Sequence, residues 1–198
     1  MVYYLLTGSL EESLYRAWLA YQPALEDHQR CEELVYYGLR AAKGKLDQIR
    51  KDWEVATFKG KPAIELGFHL DINERWYYQS AIDAVLRHKE TNFYAVLENK
   101  HTMTWKDDVT VQYKNSGQAL CYSVIVDEVA QQDITDYGVH YFIGQFPGSE
   151  LWRPRIHHFH WKKTLLDRLN WFISLGMDVQ HGQPVSYTHL TLPTTSRV

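Results

Sequence analysis

Asp83, the triplet Glu98-Asn99-Lys100, and the pair Gln118 and Tyr122 follow one another along the chain where packing alone would favour other residues. Asp83 belongs to the apolar-edged stretch Ser80-Ala81-Ile82-Asp83-Ala84-Val85, and Glu98 and Lys100 end the run Phe93-Tyr94-Ala95-Val96-Leu97, which reads as a buried strand. Two carboxylates and an ammonium at the ends of adjacent apolar strands point to metal-dependent phosphodiester chemistry. Such hydrolysis needs charge neutralised on the phosphoryl oxygens and a water made nucleophilic at neutral pH, and Mg²⁺ or Mn²⁺ supplies both. One or two carboxylates, completed by waters and phosphate oxygens, are enough to hold Mg²⁺. Asp83 and Glu98 are the candidate carboxylates, with the peptide carbonyl of Asn99 as a candidate third oxygen ligand. Glu98 and Lys100, two apart on one strand, project to the same face. Lys100 is thereby placed to orient the attacking water or to offset developing negative charge.

The surrounding pattern supplies elements to carry these residues. Leu10, Leu14, Trp18 and Tyr21 recur at helical spacing and predict a helix over 9–22; after Pro23 a second is expected over 24–50. The period changes near Phe58. Lys59-Gly60-Lys61-Pro62 reads as a turn, 63–72 alternates as a strand, and Asn73-Glu74-Arg75 reads as another turn. Strands over 76–87 and 93–100, joined by a turn at Lys89-Glu90-Thr91-Asn92, complete a three-stranded meander. A helical pattern returns over 109–131, followed by strands at 139–146 and 155–161 and a last helix over 162–175. Helices, a meander, a helix and further strands predict an α/β fold, a central mixed β-sheet flanked by helices.

At 198 residues, 45% hydrophobic and 23% charged, the chain suits one globular domain, assigned here to 1–183. Residues 184–198 are Thr-rich without helical period and resemble translated sequencing-adapter DNA, so they are set aside as a non-native tail. The net charge of −3 does not announce a nucleic-acid binder, but two segments are locally basic. Residues 38–61 carry Arg40, Lys43, Lys45, Arg50, Lys51, Lys59 and Lys61, and residues 152–168 carry Arg153, Arg155, Lys162, Lys163 and Arg168. Either would suit a phosphate backbone or a solvated face. Two cysteines, Cys31 and Cys121, exclude a disulfide framework, a four-cysteine zinc site and an iron–sulfur cluster. Tyr3-Tyr4-Leu5-Leu6 is too short for a signal peptide and no apolar run approaches a membrane span, so a soluble, intracellular protein is expected.

The ordered set Asp83, Glu98-Asn99-Lys100 and Gln118-x-x-x-Tyr122 resembles the PD-(D/E)xK nuclease superfamily, and within it the RecB-like branch that includes phage exonucleases. The stretch Asn115-Ser116-Gly117-Gln118-Ala119-Leu120-Cys121-Tyr122-Ser123 is similar to the helix that follows the active-site strands in phage-borne members. Glu65, in Ile64-Glu65-Leu66-Gly67-Phe68, matches an acidic residue that the branch carries on the preceding strand. The resemblance implies a restriction-endonuclease-like core in which Asp83 and Glu98 bind Mg²⁺ or Mn²⁺ with support from Glu65, and Lys100 acts in catalysis. It gives Gln118 and Tyr122 the substrate backbone or the bracing of the site; their i, i+4 spacing puts both on one helix face. It further implies a DNA exonuclease of phage or prophage origin acting in recombination, repair or DNA processing. The setting would be a bacterial cytoplasm, with a possible single-strand annealing partner. The chain departs from the pattern at Ser80, where relatives carry Gly. Its only upstream candidate for their metal-binding histidine is His28, whose surroundings do not match.

Two other readings stay open: a catalytically inactive DNA-binding or assembly module with the same fold, and a protein-binding domain whose acidic strand ends are only solvated. Elsewhere, His157-His158-Phe159-His160 on a strand turns His158 and His160 to one face and His157 to the other. Without an evident third ligand, a polar strand face is favoured over a metal grip. His101 reads as a neighbour of the site or a surface residue, and Trp152, Trp161 and Trp171 are expected in the core.

Overall fold

The computed structural model describes residues 1–21, 28–71, 74, 77–102, 113–114, 116–146 and 152–180. The tail at 184–198, most of the turn at Asn73-Glu74-Arg75, and the first part of the helix expected over 109–131 lie outside them.

Three helices, α1 (Val2–Thr7), α2 (Leu10–Tyr21) and α3 (His28–Asp52), precede the sheet. β1 (Trp53–Val55) and the hairpin β2 (Thr57–Phe58) and β3 (Lys61–Pro62) lead into the meander β4 (Ile64–Asp71), β5 (Tyr77–His88) and β6 (Tyr94–Thr102). Helices α4 (Gly117–Cys121) and α5 (Ser123–Ala130) cross to β7 (Tyr137–Gln145), and β8 (Arg155–Lys163) and α6 (Leu165–Gln180) follow. The fold is α/β, with a mixed, curled sheet ordered β1-β5-β6-β7-β8 and with β4 beside β1 on the same edge of β5. Among the described strands only β6 and β7 run parallel, which is why helices rather than a hairpin must join them.

Side-chain alternation sorts the core onto two faces. Ala84, Leu86, Ala95, Leu97 and Phe142 pack under α1 and α3, against Tyr4, Leu39, Leu46 and Ile49. Val85, Val96, Val139 and Tyr141 pack under α4, α5 and α6, against Tyr122, Ile125, Val126 and Trp171. Strand β7 lies between both helical layers and is buried along its whole length, as a central strand covered on both faces should be. Among the described residues no helix is long and apolar enough to cross a membrane.

The elements follow the sequence pattern with additions at α1, β1 and the β2–β3 hairpin, and with corrections: Lys162 and Lys163, expected in the last helix, end β8, and the helix expected over 109–131 breaks at Tyr122. Helix α1 has too few residues to show a period; it is fixed by tertiary contacts, Tyr4 Oη donating to Asp47 Oδ1 at 2.5 Å and Arg50 Nε to the Leu5 carbonyl at 3.2 Å. The segment between Val55 and Ile64 leaves the sheet edge as the β2–β3 hairpin and rejoins it through hydrogen bonds among Ala56, Ala63 and Val85. Trp152, expected in the core, is exposed in the turn before β8 with the Arg153 guanidinium 4.9 Å from its ring; Trp171 is buried as expected and Trp161 partly so.

A strand fork as candidate functional site

The pairing of β5 with β6 stops at Ala84↔Leu97, one step short of Asp83 and Glu98. Beyond that point β6 continues only with β7, where Glu98 stands opposite Tyr141 and Lys100 opposite Ile143. Asp83 and Glu98 therefore stand at opposite backbone positions across a fork. Asn99 closes it: its backbone N–H and its Nδ2 both donate to Asp83 Oδ2, at 2.7 and 2.8 Å. A side-chain oxygen thus takes the place of the missing ladder acceptor, as backbone N–H groups away from water require.

Glu65 lies on the other side of Asp83. The register runs Ile64↔Ala84 and Leu66↔Ile82, which leaves Glu65 opposite Asp83 without a ladder pairing of its own. Both strands change faces here. Ile64 and Ala84 pack on the α1–α3 side, whereas Leu66 and Ile82 pack on the α4–α6 side. Glu65 makes its half of the switch with φ of 49°, in the left-handed region that non-glycine residues avoid. Its carboxyl is raised from the ordinary range by desolvation and by the charge of Asp83, opposed by the amino group of Met1, which α1 brings to the same place.

Glu98 is 3% exposed. Its Oε1 accepts from Lys100 Nζ at 2.5 Å and from Gln118 Nε2 at 3.3 Å, and Gln118 Nε2 also reaches Tyr122 Oη. Its Oε2 is buried with no hydrogen-bond partner, as is Asn99 Oδ1. Burial, with repulsion from Asp83 second, pushes the Glu98 carboxyl up to about 7, and the Lys100 charge only partly opposes this. The Tyr122 phenol is held protonated by burial and by Glu98. The arrangement is a recessed pair of carboxylates with less positive charge around it than it can use.

Six of the expected site residues fall at the fork, with Glu65 beside it. Asp83, Glu98, Asn99 and Lys100 come together from β5 and β6, and Gln118 and Tyr122 arrive from α4 and its junction with α5, on the face the i, i+4 spacing requires. Glu65 is adjacent but exposed, and among the described residues no three His, Cys, Asp or Glu side chains form a group able to hold a metal ion. His28 opens α3, and its side chain lies outside the described ones. The donor set still suits a magnesium-type ion. It offers two neighbouring carboxylates, one with a buried, unpartnered oxygen, and such an ion takes its remaining ligands from water and phosphate.

The basic segments are largely engaged within the fold. Lys43 pairs with Asp47 at 2.6 Å, Lys162 with Asp136 at 2.6 Å, and Lys163 donates to the Lys114 carbonyl at 2.5 Å. Arg168 binds Asp127 and the Ile134 carbonyl. The histidines of β8 meet a partner that sequence reading missed. His140 of β7 sits between His158 and His160, with its ring 4.1 Å from that of His160 and its Nδ1 3.0 Å from His158 Nε2, while His157 turns to Gln145.

No family model and no curated protein matches the chain. Among solved structures, the crystal structure of SSO0001 is similar at 16% identity, over 92% of this chain and 86% of that one, with a TM-score of 0.37. A superposition that loose carries no argument about fold or function.

Proposed function

We propose that the chain is a metal-dependent deoxyribonuclease of exonuclease type, built on a restriction-endonuclease-like core and hydrolysing phosphodiester bonds in phage recombination, repair or DNA processing. The observation that carries this reading is the fork itself, where Asp83, Glu98 and Lys100 meet Gln118 and Tyr122 around a buried carboxylate with an unpartnered oxygen. Asp83 and Glu98 would hold Mg²⁺ or Mn²⁺, with the Asn99 carbonyl and Glu65 as supporting oxygens. When bound, the ion supplies charge neutralisation at the phosphoryl group and a water nucleophilic near neutral pH. The rest belongs to the chain. Asn99 holds Asp83 in one orientation through two hydrogen bonds. Lys100, one-quarter exposed, is the cation that can leave Glu98 to meet the phosphoryl oxygens or to position the attacking water. Gln118 braces Glu98 and is itself tied to Tyr122.

The test is cleavage of linear DNA with Mg²⁺ or Mn²⁺, absent in EDTA and lost in Glu98→Gln and Lys100→Ala. Equal cleavage by either variant would remove that residue from the assignment.

One observation favours a second reading, a DNA-binding or assembly module with the same fold and no turnover. Lys100 already neutralises part of the charge on Glu98, and no third carboxylate or histidine joins the pair among the described residues. Titration calorimetry separates the two: the enzyme binds Mg²⁺ and loses that binding in Asp83→Asn, whereas the module shows no heat with either protein.

A further inference from the structure

The β2–β3 hairpin stands off the sheet edge near the fork. Its base is bonded to β5 just beyond Asp83, with Ala56 N donating to the Val85 carbonyl at 2.8 Å and Val85 N to the Ala63 carbonyl at 2.9 Å. Phe58 anchors the hairpin by packing against the core on the α4–α6 side. At the tip, Lys59 and Gly60 have φ of 49° and 76° and close the turn between Phe58 and Lys61. Two successive left-handed residues are the mark of the type I′ turn, whose twist suits a two-residue hairpin. Asn or Gly would fill the first of these positions at less cost than a lysine. Lysine there brings charge to a turn that asks for none.

A groove of about 630 Å³ runs between this hairpin and β4. Lys59 and Lys61 line it on the hairpin side, and Ile64 and Leu66 on the strand side. Those two strand residues flank Glu65 and pair with Ala84 and Ile82, on either side of Asp83. The Lys59 ammonium lies 4.9 Å from the centre of the Phe58 ring, which also lines the groove and holds the charge there. Other cations are neutralised within the fold, Lys43 by Asp47, Arg87 by Glu54 and Lys162 by Asp136. Among the described residues Lys59 and Lys61 join no ion pair, and both are exposed.

Charge says what such a groove suits. Glu65, Asp83 and Glu98 outnumber Lys100 at the fork, so a polyanion brought there meets repulsion that cations nearby must offset. Lysine is a point charge that seats a phosphate without reading a base. A short hairpin with an anchored ring leaves little to be ordered when the phosphate arrives.

We propose that the β2–β3 hairpin is a backbone clamp, in which Lys59 and Lys61 seat phosphates of a nucleic-acid strand along the groove beside β4. The inference rests on the nucleic-acid reading of the fork and adds to it the surface that holds the strand.

The experiment is fluorescence anisotropy of a labelled duplex oligonucleotide in EDTA, where no turnover occurs, with the whole chain across a series of KCl concentrations. Each phosphate contact contributes about 0.9 to the slope of log affinity against log salt. Lys59→Gln and Lys61→Gln should each lower that slope by about 0.9, and the double variant by about twice as much. Lys43→Gln, which removes a cation already paired with Asp47, should leave it unchanged. A thermal melt shows which variants are folded, and either single variant gives the answer if the other is not. A folded variant that keeps the full slope overturns the clamp, as does the absence of binding by the intact chain at low salt. Poly-glutamate that displaces the duplex at equal charge overturns the assignment to a nucleic-acid backbone. Cleavage is read separately. A slope that falls as expected without Mg²⁺-dependent cleavage keeps the clamp and sinks the nuclease, and cleavage with an unaltered slope does the reverse.

Discussion

Two polar clusters lie on the same sheet and meet burial in opposite ways. At the fork, Glu98 is buried beside Asp83 with one oxygen unpartnered, and its carboxyl is pushed up to about 7. Two strands away, His140, His158 and His160 are also crowded, but their rings lie parallel and their pKa values fall, to about 2 for His140 and about 4 for His158, with burial the main cause in each. The histidines answer desolvation by staying neutral, and stacking and Trp53 then pack them as aromatic rings, although His140 Nε2 is left buried and unpartnered as Glu98 Oε2 is. The carboxylates cannot do this at neutral pH without a proton or a cation. A cluster that has settled its charge packs as neutral rings, whereas one that has not is where a ligand has something to contribute. This contrast singles out the fork rather than the histidines.

The largest effects should come from removing the fork's charges. Lys100→Ala and Glu98→Gln are each expected to lower Mg²⁺-dependent cleavage by at least about a hundredfold, measured as initial rates on linear DNA. His158→Gln should leave the rate within about twofold, since a hundredfold loss is the scale reserved for groups that act in the reaction. A large loss in His158→Gln would erase the distinction between the clusters.

The second effect is on stability, and its sign differs between them. Glu98 has a folded pKa above its unfolded one, so the folded metal-free protein binds the extra proton between about pH 4.5 and 7 and loses stability as pH rises through that window. The span corresponds to about 3 kcal/mol. Glu98→Gln should flatten this fall in chemical denaturation of the metal-free protein. His140 runs the other way: its folded pKa lies below its unfolded one, so the stability present above about pH 6.5 is lost as pH falls, by about 2 kcal/mol at pH 5. His140→Phe, which keeps a ring between His158 and His160, should remove that acid loss. If both variants shift the profile in the same direction, the opposition between the clusters is wrong.

How much of this was legible beforehand depended on whether a residue's role is local. The meander was readable because 63–72 alternates and the apolar runs of β5 and β6 are set off by turn residues, and Gln118 with Tyr122 because one helix turn sets their spacing. The double hydrogen bond from Asn99 to Asp83 was not readable, since it depends on β5 and β6 parting at Ala84↔Leu97, which no single-strand pattern records. His140 was hidden for a related reason: β7 is buried on both faces, so its polar residue breaks no alternation. The packing of the Phe146 ring against Gly38 and Gly144 did leave a signal, two glycines out of place in a helix and a strand, but their shared cause appears only when α3 crosses β7. The second basic segment presents less free charge than its composition suggests, because Lys162, Lys163 and Arg168 are taken up by Asp136, Lys114 and Asp127 within the fold.

The smallest expected effect distinguishes strain that serves a turn from strain that serves the site. Lys59 and Glu65 share a φ of 49°, Lys59 in the β2–β3 turn and Glu65 within β4 opposite Asp83. Left-handed backbone costs a residue with a Cβ roughly 1–2 kcal/mol, and glycine avoids that cost while giving back about 0.5–1 kcal/mol through the greater freedom of its unfolded chain. Both side chains are exposed, so little packing is at stake. Lys59→Gly and Glu65→Gly should therefore each gain about 0.5 kcal/mol in chemical denaturation. They should part in Mg²⁺ affinity by calorimetry. Lys59→Gly leaves it unchanged, whereas Glu65→Gly weakens it, because a carboxylate held beside Asp83 at a conformational cost helps to attract the cation. A Glu65→Gly protein that is both more stable and equally able to bind Mg²⁺ would show that the kink only turns the strand, and would confine the site to the residues between Asp83 and Tyr122.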